Sequence, residues 1–168
     1  VSADLVHLPM EMILAVRKKI SQRYPEWNTN KIFISTTHTH QAPVVMRNNF
    51  IIPEHAMSVA EYIDYFVEQV TMGIVSAQQN LQTASVAWGL GSAIVAYNRR
   101  TTYLDGSAQV YSDINRPEFK GPEGPEYQGI PIIFFFNDAG KPLAAAVNVW
   151  SPSQEYFGSK KISADFWH

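Results

Sequence analysis

The order of patterns in the first 36 residues constrains the fold most. Val1 to Val6 is a β-rich run, Pro9 opens a segment of helical periodicity, and Lys31 to Thr36 is β-rich again. Proline is tolerated at a helix start, because its missing N–H would have no intrahelical partner there. Ile13, Val16 and Ile20 then share one apolar face, with Arg17, Lys18 and Lys19 mostly on the other, and Tyr24-Pro25 ends the helix. Strand, helix and strand in succession predict an α/β fold.

The same alternation continues. Ser58 and Glu61 have the spacing of a capping box, and Ile63, Phe66, Val67, Val70 and Ile74 follow at helical intervals toward Leu81. Residues 84–97 are β-rich, with Gly89 and Gly91 predicting a bulge or a hairpin. Residues 112–129 are rich in Pro, Gly and charge and read as a long loop. Ile130 to Phe136, the turn Asn137-Asp138-Ala139-Gly140 and Pro142 to Trp150 form a hairpin pattern. Ser151 to Lys161 is loop, and Ile162 to His168 reads as a short strand entering a helix. The expected architecture is a mixed sheet with flanking helices. Residues 1–168 are read as a single partial domain of a larger catalytic domain, since both ends look cut.

Composition excludes several functions. No cysteine is present, which removes disulfides, thiolate zinc sites, iron–sulfur clusters and a cysteine nucleophile. A net charge of −2 offers no basic surface for nucleic acid. The longest apolar runs fall well short of the roughly 20 residues a transmembrane helix needs. No phosphate-binding loop and no serine nucleophile elbow is present.

The residues with the most chemical content are Thr36-Thr37-His38-Thr39-His40-Gln41-Ala42-Pro43. Two histidines at i and i+2 of an extended segment point to one side. They stand at the presumed C-terminal end of a strand, where open α/β sheets place their sites. Such a pair can share a metal ion, can act as ligand plus neighbour, or can be two hydrogen-bonded surface histidines. Asp4 either orients a histidine ring or caps the helix at Pro9. Tyr97, Tyr103, Tyr111 and Trp150 either line a pocket or pack as core. Ser163 or Asp165 reads as a helix N-cap, with a substrate or outer-sphere contact as the other reading of Asp165.

The His-containing segment resembles the Gly-Thr-His-Thr-His stretch of the neutral (non-lysosomal) ceramidases. Val1-Ser2-Ala3-Asp4-Leu5 resembles the strand before that family's first helix. Asn98-Arg99 resembles its Asn-Arg pair, the hairpin Pro131 to Trp150 its return hairpin, and Ile162-Ser163-Ala164-Asp165-Phe166 the segment that follows. These matches keep the family's order along nearly the whole chain. The resemblance implies part of an N-terminal catalytic domain that hydrolyses the N-acyl bond of ceramide with one zinc ion. It implies that His38 is a zinc ligand, that His40 is an active-site neighbour serving as ligand or acid/base, and that Arg99 lies in the site. It also implies a lipid or other small-molecule substrate and a periplasmic or secreted location.

The sequence departs from the family at one position. The family's return hairpin ends in a His-Pro whose histidine is a second zinc ligand, and here the stretch reads Val149-Trp150-Ser151-Pro152. A serine hydroxyl is a poor replacement on zinc. The segment after it holds one imidazole, His168, three residues beyond Asp165. His168 is either a first-turn surface residue or the replacement ligand. The expected metal set is therefore His38, His40 and His168. The competing expectation is a degenerate member that binds a lipid or glycan without turnover.

Overall fold

The computed structural model of the chain describes residues 1–46, 50–155 and 161–167. His168 lies outside the described residues, as does part of the Ser151–Lys161 loop. The chain forms two compact units. The first is Val1–Leu81 with Pro152–His168, and the second is Gln82–Ser151.

In the first unit, strand β1 (Ser2–Ala3) pairs in parallel with β2 (Ser35–Thr36), with Ser2 opposite Ser35 and Ala3 opposite Thr36. Both are shorter than the β-rich runs predict. The Leu5 N–H turns back onto the Ala3 carbonyl at 2.9 Å and ends β1. Ahead of β2, the Asn28 side chain accepts from the Asn30 N–H and caps a 3-10 turn over Thr29–Lys31. Helix α1 (Met10–Arg23) starts directly behind Pro9, and helix α2 is Val59–Gln79. The Ser58–Glu61 capping box is present in both directions, with Ser58 N–H to Glu61 Oε2 at 2.9 Å and Glu61 N–H to Ser58 Oγ at 3.3 Å.

The core of this unit gathers Leu5 from behind β1, Ile34 beside β2, Met12, Val16 and Ile20 from α1, and Phe66 and Val67 from α2. Each such side chain, fully buried, contributes about 1.5–3 kcal/mol. Helical spacing fixes the face of α1, with Met12 more deeply placed than Ile13. Arg17 flanks that face and donates from Nη2 to the Ile32 carbonyl at 2.9 Å. These contacts hold the segment that leads into the histidines.

The second unit contains two antiparallel sheets. Strand β3 (Ser85–Ser92) pairs along its whole length with β7 (Gly129–Phe136), and β7 pairs with β8 (Pro142–Val147), giving the order β3-β7-β8. The β7–β8 turn is the expected one: Asn137 Oδ1 accepts from the Ala139 and Lys141 N–H groups, and Gly140 takes φ +74°. Gly89 and Gly91 stay in register, opposite Ile132 and Ile130, so the expected interruption of this strand is absent. The second sheet has the order β5-β4-β6, from β4 (Arg100–Tyr103), β5 (Ala108–Val110) and β6 (Phe119–Pro122).

Strand β6 falls inside the segment read as loop. Its Gly121 has φ +146° and its Pro122 has no N–H to donate, and an edge strand tolerates both. Tyr103 is the buried aromatic of this sheet, whereas Tyr97, Tyr111 and Trp150 are exposed. The fold is α/β, with parallel pairing in the first unit and antiparallel pairing in the second.

Candidate functional site

The segment 37–41 is fastened at every odd residue. The Thr37 N–H donates to the Ala3 carbonyl at 3.0 Å, and its Oγ1 donates to Asp4 Oδ1 at 2.9 Å. The Thr37 carbonyl accepts from the Ser153 N–H at 2.9 Å. Thr39 is fully buried, and its hydroxyl donates to the Ser163 carbonyl at 2.9 Å while accepting from the Gln41 N–H at 3.2 Å. The Gln41 carbonyl accepts from the Ser163 N–H at 3.0 Å. Odd residues bind the protein, so the even ones, His38 and His40, stand toward the accessible side: His38 half-buried and His40 exposed. Asp4 acts on the loop through the Thr37 hydroxyl.

The two imidazoles converge. Their Nε2 atoms are 3.4 Å apart and their ring centroids 5.1 Å apart, with the planes at 61°. The convergence is not that of a regular strand. β2 ends at Thr36, and His38 has φ +61°, in the left-handed region. A side chain held there costs on the order of 1–3 kcal/mol, and such conformations concentrate at functional sites.

The spacing suits one tetrahedral ion. With metal–nitrogen bonds of about 2.0–2.1 Å, two ligand nitrogens on a zinc ion lie roughly 3.3 Å apart. Two buried polar atoms on the same loops, Gln41 Oε1 and Ser153 Oγ, lack a hydrogen-bond partner among the described residues. Native interiors leave few such groups, and sites that take up water or a ligand account for some of them. Among the described residues no cluster of three or more His, Asp or Glu surrounds the pair. Among the described residues the pair itself offers two nitrogen donors to a cation. His168 is outside the described residues.

Sequence reasoning missed Gln154. Its amide nitrogen is 2.6 Å from His40 Nε2, and the residue is 9% exposed. It sits 114 residues from His40 in a loop without periodicity, so no local signal marks it. Asp165, also at positive φ (+59°), accepts at Oδ1 from the Glu155 N–H at 3.3 Å and from the Phe166 N–H at 2.8 Å. It starts a 3-10 turn over Asp165–Trp167 and ties down the segment carrying Gln154.

Arg99 belongs to the second unit. Its guanidinium lies 4.8 Å from the centre of the Tyr111 ring and bonds the Tyr111 hydroxyl through Nη1. Tyr111 is 75% exposed at φ +54°, so it is a partner of Arg99 and not core. Asn98 braces the adjacent backbone: its N–H donates to Glu126 Oε1 at 2.9 Å, and its Oδ1 accepts from the Arg100 N–H at 3.0 Å. The Asn98 N–H holds the Glu126 carboxyl below the usual carboxylate range.

In the first unit, an open cleft of about 610 Å³ is lined by Leu5, Tyr62, Phe66 and Val70, and by Asp4 and Pro43 at the two flanks of the histidine loop. Burial raises the Tyr62 hydroxyl above its ordinary value, with a smaller contribution from Tyr65.

This backbone has a known counterpart. A crystal structure of neutral ceramidase from Pseudomonas aeruginosa and a structure of a ceramidase complexed with C2 each match 97% of the chain, with a TM-score of 0.63 and 19% sequence identity. The chain has the fold of part of neutral ceramidase. It spans about a quarter of the length of those ceramidase structures, 25% of each. No family model matches the chain, and no curated protein matches it. No described helix is long and apolar enough to cross a membrane.

Proposed function

We propose that the chain carries part of the active site of a zinc-dependent amidohydrolase acting on a lipid amide, an N-acyl sphingosine or a related compound. The observation that carries this reading is the 3.4 Å approach of His38 Nε2 and His40 Nε2, on a loop fastened from below, in a chain with the ceramidase fold. His38 and His40 are the metal ligands, and His168 is a further imidazole in the sequence. When bound, zinc supplies Lewis acidity toward the amide carbonyl and activates a water molecule.

The protein's own residues do the rest. The bonds from Thr37 and Thr39 hold the two rings in one orientation, so little reorganisation accompanies binding. Asp4 and Pro43 open onto the apolar cleft, which suits a hydrocarbon chain. Arg99 takes the role that the resemblance gives it, stabilising the negative charge that develops on the carbonyl oxygen during hydrolysis. The net reaction adds water across the C–N bond and gives a carboxylic acid and an amine. A periplasmic or secreted location accompanies this reading.

Two observations favour a second reading. The Gln154 amide already occupies His40 Nε2, and Ser151 stands where the resemblance calls for histidine. A protein that keeps this hydrogen bond binds a lipid without turning it over. The experiment that separates the two is hydrolysis of an N-acyl sphingosine by the full-length protein before and after chelation. Loss with chelator and return with added zinc supports the hydrolase. Absence of hydrolysis by a protein that contains zinc supports the binding protein.

A further inference from the structure

We propose that Gln154 is the third protein donor of this metal site, through its side-chain carbonyl oxygen. The proposal rests on the reading that His38 and His40 hold a metal, and it names the ligand that Ser151 fails to provide.

A catalytic zinc commonly keeps three protein ligands and one open position. The histidine pair gives two. Among the described residues the Gln154 amide reaches this pair, its nitrogen 2.6 Å from His40 Nε2, which is itself 3.4 Å from His38 Nε2. Gln154 Nε2 and His38 Nε2 thus both lie within 3.4 Å of His40 Nε2. The amide is not there by chance of surface packing. Gln154 is 9% exposed, and ordering a buried glutamine side chain sacrifices about 1.5–2 kcal/mol of rotamer freedom.

The backbone fixes the residue on both sides. The Ser153 N–H bonds the Thr37 carbonyl at 2.9 Å, on the histidine loop itself. The Glu155 N–H bonds Asp165 Oδ1 at 3.3 Å. Gln154 is held between these anchors with its side chain directed at His40.

A terminal amide presents a donor on one side and an acceptor on the other, and a half-turn about its last torsion exchanges them. Without metal, the N–H side meets the His40 Nε2 lone pair. A cation held by the imidazoles would engage that lone pair, and the half-turn would then present Oε1 in place of the N–H side. The resulting set, two imidazoles and one amide oxygen, is neutral. It binds zinc less tightly than a set with a carboxylate, because no ligand charge offsets the cation.

Titration of the full-length protein with zinc chloride tests this, comparing wild type with Gln154→Ala, Gln154→Glu and His38→Ala. Gln154→Ala is expected to weaken zinc binding tenfold or more, and Gln154→Glu to match or exceed wild type. Unchanged or tighter binding by Gln154→Ala would overturn the assignment and mark the amide as a bystander or a competitor for His40. Where Gln154→Ala does not fold, Gln154→Glu decides, because it keeps the size and the coordinating oxygen: weaker binding than wild type contradicts the proposal. His38→Ala separates the two levels. Loss of zinc in His38→Ala with wild-type binding in Gln154→Ala removes only Gln154, whereas unchanged binding in His38→Ala removes the metal reading itself.

Discussion

The buried hydroxyl of Thr39 bonds the carbonyl oxygen of Ser163 at 2.9 Å across 124 residues of sequence. With its second bond, from the Gln41 N–H, it makes Thr39 the pin between the histidine loop and the segment before Asp165. Thr39→Val keeps the shape and removes both bonds, leaving a carbonyl and an N–H unpaired. The expected loss is about 1–3 kcal/mol, read as a lower denaturation midpoint. Ser153→Ala is the contrast: its buried hydroxyl has no partner among the described residues, so its removal is expected to leave the midpoint unchanged or raise it. Equal destabilisation by the two substitutions would contradict this account of the loop.

The left-handed backbone at His38 makes its own prediction. Glycine takes φ +61° without the clash a Cβ meets, and alanine does not. His38→Gly is therefore expected to be more stable than His38→Ala by up to about 1 kcal/mol, although both remove the same imidazole. Thermal melts of the two variants decide. Greater stability of the alanine variant is the opposing result.

The capping box on α2 gives a pH dependence. The Ser58 hydrogen bonds, to side chain first and backbone second, hold the Glu61 carboxyl below its ordinary value of 4.5. A carboxyl lowered in the folded state stabilises in full above the unfolded value, and the contribution is lost as pH falls through the folded one. The stability difference between wild type and Glu61→Gln is thus constant above 4.5 and shrinks at lower pH. Ser58→Ala is expected to cost about 1 kcal/mol at neutral pH. A Glu61→Gln difference that stays flat under acid would show that the capping box does not form.

Arg99 is tested by kinetics on a confirmed substrate. Arg99→Ala is expected to lower kcat/KM by about 100-fold or more, roughly 3 kcal/mol, if its guanidinium meets the developing oxyanion. Tyr111→Phe keeps the ring beside the guanidinium and removes only the hydroxyl, so a smaller loss is expected. Wild-type kinetics in Arg99→Ala would end the catalytic role.

Both helices and the β7–β8 hairpin were legible because their signals are local: Val16 and Ile20 at one-turn spacing, Ser58 three residues before Glu61, Asn137 to Gly140 between apolar runs. The β5-β4-β6 sheet was not. Its strands are three or four residues long, and Gly121 and Pro122 write a loop signature into an edge strand. The histidine pair was legible as residue types, whereas its geometry was not, because nothing in Thr-His-Thr-His dictates the left-handed turn at His38. Gln154 and Tyr111 reach their partners only through tertiary structure, and a lone glutamine or tyrosine carries no pattern. The same holds for Asp4, whose bond to Thr37 depends on the parallel pairing of β1 with β2.

The central claim, that His38 and His40 share a metal, is tested most directly by anomalous diffraction at the zinc edge from crystals of the full-length protein grown with excess zinc. The account predicts a peak about 2.0–2.1 Å from both Nε2 atoms. No peak at the pair, with the Gln154 amide still bonded to His40 Nε2, would contradict it.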